Sequence, residues 1–149
     1  MITTRGLRVA LSVAVLGITG LSSGVINVTS ASAAAKPKIV VTPATNLKNG
    51  QTVSIAGTGF KPGDTVFIVE CVAKAKGEAG CQVNGIPASV TITSTGKMPR
   101  AKLKMVEGKI GNGKCGTTKA NLKGCAVSVG NATGGDAAVE IVAFKAPLK

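Results

Sequence analysis

The sequence predicts an all-β sandwich of seven strands. Short runs rich in Val, Ile and Thr recur between Gly, Asn and Pro residues, the pattern of a sandwich with closely spaced turns. No stretch of twelve residues has convincing helical periodicity. The chain also opens with an export leader and contains four cysteines, which adds the expectation of disulfide cross-links in a small exported domain.

The first two strands are predicted at residues 38–42 and 52–56, separated by the turn Asn49-Gly50. Val53 and Ile55 alternate with polar neighbours, so we expect one face of the second strand to be buried and the other solvated. Residues 57–64 then form a corner, because their glycines permit positive φ and Pro62 favours a turn.

The remaining five strands are predicted at residues 65–72, 88–93, 101–106, 126–129 and 139–144. The first of these is apolar enough to be a central strand, and a Thr95-Gly96 turn separates the next two. Lys102 and Lys104 alternate with Leu103 and Met105, which assigns both lysines to a solvated face.

The cysteines form two pairs of identical spacing, Cys71 with Cys81 and Cys115 with Cys125. Four cysteines allow three connectivities, and spacing alone does not select one. We favour the two local bridges because each pair brackets turn-rich sequence. A tetrahedral zinc site is the alternative, but it would require closely spaced cysteines or histidine partners, and the chain has no histidine.

Residues 1–33 have the three parts of a secretory signal peptide. Arg5 and Arg8 supply the charged start, residues 9–21 the apolar stretch, and Ala31-Ser32-Ala33 a small-residue cleavage site. Glycines and serines interrupt the apolar stretch short of the ~20 residues that a spanning helix needs. We expect cleavage near residues 33–35, one domain over residues 36–149, no later membrane span, and a secreted protein.

The mature chain is strongly basic. Two of the 18 Lys and Arg residues lie in the leader, so the mature chain has 16 basic and 6 acidic residues and a net charge of +10. This charge favours anionic partners such as DNA or acidic cell-envelope polymers. Aromatic platforms for single-stranded nucleic acid are scarce, since the chain has no Trp or Tyr, and a solvated basic surface is the alternative interpretation.

Residues suited to enzyme chemistry are few, and we expect no enzymatic activity. Without histidine or tyrosine, proton transfer at neutral pH would fall to six carboxylates and the lysines. Ser and Thr have no evident base, which excludes the usual hydrolase triad. Glu70 is the acid inside a strongly apolar strand. We expect it to face outward, the alternative being a polar group that lines a cleft.

The segments 40–47 (VVTPATNL) and 49–60 (NGQTVSIAGTGF) resemble the start of the neocarzinostatin family of secreted antibiotic apoproteins. The resemblance continues through Glu70-Cys71, the loop from Cys71 to Cys81, and the closing segments from Cys125 onward. It implies a seven-stranded immunoglobulin-like sandwich with two local disulfides. It also implies a cleft for a non-covalently bound enediyne chromophore, which damages DNA when released.

Carried over by position, the resemblance assigns the cleft to Cys71, Ala73, Cys81, Ile86, Ser128 and Gly130. Ala73 and Ile86 stand where the family has aromatic residues, so the cleft is predicted to be aliphatic. The bridge Cys71–Cys81 is expected on the cleft wall and Cys115–Cys125 near its rim. The function predicted is a monomeric binding protein for an enediyne-like or other apolar small molecule. Adhesion to nucleic acid or envelope polymers without a chromophore is the alternative.

Overall fold

Nine strands and two short 3-10 turns organise residues 35–83 and 88–146, the part of the chain described by the computed structural model. The 3-10 turns are Glu78–Gly80 and Lys119–Asn121. The strands are β1 (Lys38–Thr42), β2 (Thr52–Thr58), β3 (Thr65–Val72), β4 (Ala88–Thr91), β5 (Lys97–Lys104), β6 (Gly108–Ile110), β7 (Gly113–Cys115), β8 (Cys125–Gly130) and β9 (Ala138–Val142).

Seven of these strands form two antiparallel sheets, which confirms the predicted sandwich. One sheet has the order β1-β2-β5 and the other the order β4-β3-β8-β9. Their facing surfaces bury one apolar cluster, to which Ile55 and Met98 contribute from the three-stranded sheet and Ile68 and Val127 from the four-stranded sheet. Among the described residues, no helix is long and apolar enough to cross a membrane.

The hairpin of β6 and β7 was not predicted. Its strands have three residues each and pair in register, with Ile110 opposite Gly113 and the two residues Gly111-Asn112 as the turn. Gly111 has φ of 49°, as such two-residue turns require. The Gly-Asn dipeptide was therefore an available signal, but three-residue strands are too short to show alternation.

Several strand boundaries differ from the prediction by one to four residues, and two of them have clear causes. The fifth strand begins at Lys97 rather than at residue 101, because the Thr93–Gly96 turn leads directly into it and a bulge opposite Ala56 accommodates Pro99 at the sheet edge. The last strand ends at Val142 rather than at residue 144. Phe144 instead forms an isolated parallel bridge with Leu47, and both side chains are buried.

Gly96 illustrates why the turn before β5 needs a glycine. Its φ is 72°, and a Cβ atom at this position would lie 2.7 Å from the carbonyl oxygen of Phe60. The close approach of the two backbones also forms a hydrogen bond, in which the N–H of Phe60 donates to the carbonyl of Gly96 at 3.2 Å. The corner at residues 57–64 is thus fixed against the turn that starts β5.

Candidate functional site

The central strand β3 is apolar on both of its faces. Val66, Ile68 and Glu70 are buried between the sheets, whereas Phe67 and Val69 are half-buried on the opposite side. A strand with one solvated face would alternate between apolar and polar residues, which β3 does not. The outer face of this strand is therefore partly covered by something other than the core.

Cross-strand pairing builds an apolar floor on this outer face. In the register of β3 with β8, Phe67 lies opposite Gly130, Val69 opposite Ser128, and Cys71 opposite Ala126. The register of β8 with β9 then continues the middle row from Ser128 to Val139. Side chains that are directly opposite in an antiparallel pair are neighbours, so these rows form one continuous surface.

A cavity of about 590 Å³ lies over this floor. The segment that follows β3, including Lys74, Ala75 and Gly77, lines one side, and Cys81 joins that segment to the floor through its bridge to Cys71. The segment between β8 and β9, including Asn131 and Ala137, lines the other side. Phe67 is the one aromatic side chain among the described lining residues.

Hydrogen bonds hold the side of the cavity formed by the β8–β9 loop. The side-chain oxygen of Asn131 accepts hydrogen bonds from the N–H groups of Thr133 (3.2 Å) and Gly135 (2.9 Å) and from the Thr133 hydroxyl (2.9 Å). The side-chain nitrogen of Asn131 donates to Asp64 at 2.8 Å, which ties the loop to the corner before β3. This side of the cavity is accordingly preorganised.

The disulfide loop on the opposite side is anchored through main-chain groups of β3. The N–H of Gln82 donates to the Glu70 carbonyl at 2.7 Å, and the N–H of Ala75 donates to the Val72 carbonyl at 3.0 Å. The bridge between Cys71 and Cys81 adds a covalent link at the same place. The wall of the cavity is therefore attached to the strand that forms its floor.

The structure brings together four of the six cleft residues predicted from the sequence: Cys71, Cys81, Ser128 and Gly130 all line the cavity. Ile86 lies outside the described residues. Ala73 is not among the lining residues, because β3 has ended and its N–H donates to the Gly124 carbonyl at 2.7 Å, which draws the chain toward the other disulfide loop.

Several lining residues were missed in the sequence, above all Phe67, Val69, Ala126 and Val139. The available signal was the two-residue period of the strands, since Phe67 and Val69 share a face with Cys71, and Ala126 shares a face with Ser128. That period reveals which residues lie together. It does not reveal whether their common face meets the core or a cavity.

The second bridge, Cys115–Cys125, lies in the core rather than at the cavity rim. Both cysteines are 0% exposed and belong to the apolar cluster between the sheets. None of the residues 116–124, all of them described, lines the cavity. The bridge joins the end of β7 to the start of β8, so it links the unpredicted hairpin to the four-stranded sheet.

Glu70 faces inward, which makes the predicted outward orientation wrong. Its side chain is 2% exposed and lies near the second bridge, with a carboxylate oxygen within 4.8 Å of the sulfur atoms of Cys115 and Cys125. One carboxylate oxygen accepts a 2.8 Å hydrogen bond from the N–H of Val106. The other has no hydrogen-bond partner among the described residues.

Burial raises the pKa of the Glu70 carboxyl to about 7, and the hydrogen bond from Val106 opposes the rise. The inward orientation has a geometric cause, because Glu70 is two and four residues from Ile68 and Val66 on the same strand face. Although Glu70, Cys115 and Cys125 are close together, the two sulfur atoms are joined in a bridge and cannot act as thiolate ligands of zinc.

Comparisons with known proteins agree with this architecture. The sequence profile described as the Neocarzinostatin family matches residues 39–144. Macromomycin of Streptomyces macromomyceticus is 34% identical over 110 residues, which cover 70% of this chain and 75% of that protein. The solved structure of macromomycin has a TM-score of 0.54 and 31% identity, covering 72% of this chain and 98% of its own.

A second structural neighbour is the solution conformation of apokedarcidin. It has a TM-score of 0.50 and 22% identity, and the alignment covers 74% of this chain and 99% of that chain. At this identity the similarity shows the shared fold alone.

Proposed function

This chain belongs to the neocarzinostatin family, and on that premise we propose that its mature form is a monomeric binding protein that carries an apolar small molecule. The proposed site is the cavity over the outer face of β3, β8 and β9. An enediyne-like chromophore is the ligand class that the family resemblance implies. The observation that carries the proposal is the apolar outer face of β3, which a solvated strand would not have.

The size and chemistry of the cavity support small-molecule binding. Pockets for small ligands typically have volumes of roughly 300–1,000 Å³ and are lined mainly by apolar side chains with a few polar groups. The cavity of about 590 Å³ lies within this range, and Ser128 supplies a hydroxyl at the centre of its floor. The largely aliphatic lining favours a ligand that is held by shape and burial more than by ring stacking.

The ionisable groups that line the cavity fit binding better than catalysis. Among the described lining residues they are Lys74 and Glu78, and both are exposed. The buried carboxyl of Glu70 lies on the other face of β3. A catalytic acid or base must reach the substrate, and Glu70 is separated from the cavity by its own strand. We therefore propose carriage of a ligand without chemical conversion.

Replacing Ser128 with Phe should weaken ligand binding at least about tenfold, which corresponds to ~1.4 kcal/mol. The larger side chain would occupy the centre of the floor between Val69 and Val139. The measurement is a fluorescence titration of the mature protein with N-phenyl-1-naphthylamine, a neutral apolar probe whose emission rises in apolar surroundings. A neutral probe is needed because the protein is strongly basic.

Ser54→Phe is the matched control, since Ser54 is a half-buried strand residue on the other sheet. The wild type and this control should both bind one probe per chain, with little dependence on salt. Equal affinities for the two variants would place the probe outside the cavity and contradict the proposed site. Absence of saturable binding to the wild type would contradict carriage of apolar molecules of this size.

We also propose that residues 1–33 direct secretion and are removed near residues 33–35. Two observations support this proposal: the tripartite pattern of the leader, and the two disulfides of the folded domain, which are typical of an oxidising compartment. Intact-mass analysis of the exported protein should give a chain that begins at Ala34 or Lys36 and lacks four hydrogens relative to its reduced form. A retained leader or free thiols would contradict this prediction.

A further inference from the structure

The two sheets of the sandwich differ sharply in charge. The strands of the three-stranded sheet, β1, β2 and β5, contain no Asp or Glu and five basic residues: Lys38, Lys97, Arg100, Lys102 and Lys104. The strands of the four-stranded sheet contain no Lys or Arg and two acidic residues, Glu70 and Glu140. Among the strands of the two sheets, every basic residue therefore lies on the sheet that does not form the cavity floor.

All five basic side chains are exposed and share the outer face of the three-stranded sheet, which we call the basic face. Lys38 and Lys97 lie on either side of Thr58 in β2, and each pairs directly opposite it. Lys102 lies opposite Ser54, and Lys104 opposite Thr52. The five cations therefore surround small polar residues of β2.

Arg100, the fifth cation of the basic face, lies at a bulge in β5. Pro99 and Arg100 together stand opposite the single residue Ala56, and both are exposed. A guanidinium nitrogen of Arg100 lies 3.5 Å from the Ser54 hydroxyl, which directs the side chain across the sheet. Arg100, Lys102 and Lys104 share a face by ordinary alternation, and the extra residue of the bulge brings Lys97 onto the same face.

A strand of eight residues extends roughly 24 Å at ~3.4 Å per residue, and alternate residues on one face lie ~7 Å apart. Arg100, Lys102 and Lys104 are therefore regularly spaced along one strand. Such an array complements a stiff polyanion, because the backbones of both partners are already ordered before they associate. Double-stranded DNA is such a polymer, with one negative charge per ~1.7 Å of its axis and a persistence length of ~150 base pairs.

We propose that the basic face binds the phosphate backbone of double-stranded DNA without reading its bases. The strands of this face contain no aromatic residue, so they offer no platform on which the bases of a single strand could stack. They also belong to a sheet, which presents no helix to enter a groove. This interaction is separate from the cavity, which lies on the opposite sheet.

The test is a fluorescence-anisotropy titration of a labelled 20-base-pair duplex of mixed sequence with the mature protein between 50 and 200 mM NaCl. If five cations each release one counterion, the logarithmic salt slope is about −4.5 and affinity falls roughly 500-fold over this range. Duplexes rich in A·T and in G·C should bind equally.

The triple variant R100Q/K102Q/K104Q should reduce the slope to about −1.8 and the salt effect to roughly 12-fold, because two cations of the face remain. The control K114Q/K119Q/K123Q removes the same charge from exposed positions on β7 and the following loop, and it should keep a slope near that of the wild type. N-phenyl-1-naphthylamine binding should be unchanged in both variants, so the result is independent of the cavity's function.

Three outcomes would overturn the proposal. Equal losses in the two triple variants would mean that net charge alone, rather than this face, attracts DNA. Salt-independent binding or no binding at 50 mM NaCl would exclude a backbone contact. Displacement of the duplex by an equal phosphate concentration of a single-stranded oligonucleotide or a poly(glycerol phosphate) would assign the face to flexible polyanions instead.

Discussion

Replacing Cys115 and Cys125 together with alanine is expected to lower the free energy of unfolding by about 4–5 kcal/mol. Closing a loop of about ten residues stabilises the fold by roughly 3 kcal/mol in the chain-entropy description. The remainder is expected from packing, because both sulfur atoms are fully buried in the core and their removal leaves a cavity. Urea denaturation at pH 5 measures the effect with Glu70 largely protonated.

The other bridge provides a matched control. Cys71 and Cys81 are also ten residues apart, so chain entropy predicts the same loss for both double variants. Cys81 is only half-buried, however, and the C71A/C81A variant should lose about 3 kcal/mol. This control variant should also bind N-phenyl-1-naphthylamine more weakly, since its bridge forms the cavity wall. Equal or reversed losses of stability would contradict the burial argument.

Replacing Glu70 with Gln is expected to stabilise the protein by about 2–3 kcal/mol at pH 8 and to change little at pH 4.5. The folded-state pKa of Glu70, about 7, lies above the ordinary value of 4.5. The protonated carboxyl is thus favoured by folding, and its contribution is fully present below pH 4.5. This contribution is lost between pH 4.5 and about 7, so the wild type becomes less stable over that range.

Glutamine remains neutral at every pH and can accept the same hydrogen bond from the Val106 N–H. The stability curve of E70Q should consequently be nearly flat from pH 4.5 to 8. Glu78→Gln, the same substitution at an exposed position, should retain the decline seen in the wild type. A curve for E70Q that runs parallel to that of the wild type would show that Glu70 is not the group responsible.

The sandwich could be predicted from the sequence because its strands are separated by clear turn residues. Asn49-Gly50 and Thr95-Gly96 divided strands correctly, and the alternation of Val53 and Ile55 identified a buried face that the structure contains. The turn-rich sequence between the cysteines favoured the two local bridges, and the family resemblance implied the same pairing, which spacing alone left open. The β6–β7 hairpin escaped prediction because strands of three residues do not establish a period.

The orientation of β3 was harder to predict than its existence. Both faces of the strand are apolar, one against the core and one beneath the cavity, so alternation does not reveal which side Glu70 occupies. Ala73, which was expected in the cleft, lies outside the lining of the cavity for a related reason. The resemblance assigned Ala73 to the cleft by its distance in sequence from Cys71. At Ala73, however, the backbone has already turned toward Gly124.

Photolabelling with benzophenone, a neutral apolar molecule that inserts into nearby C–H bonds, would locate the ligand site directly. Mass spectrometry should find saturable labels on β3, β8 and β9, at residues such as Phe67, Val69 and Val139, and N-phenyl-1-naphthylamine should suppress them. Labels confined to β1, β2 and β5, or labelling that never saturates, would contradict the assignment of the cavity as the binding site.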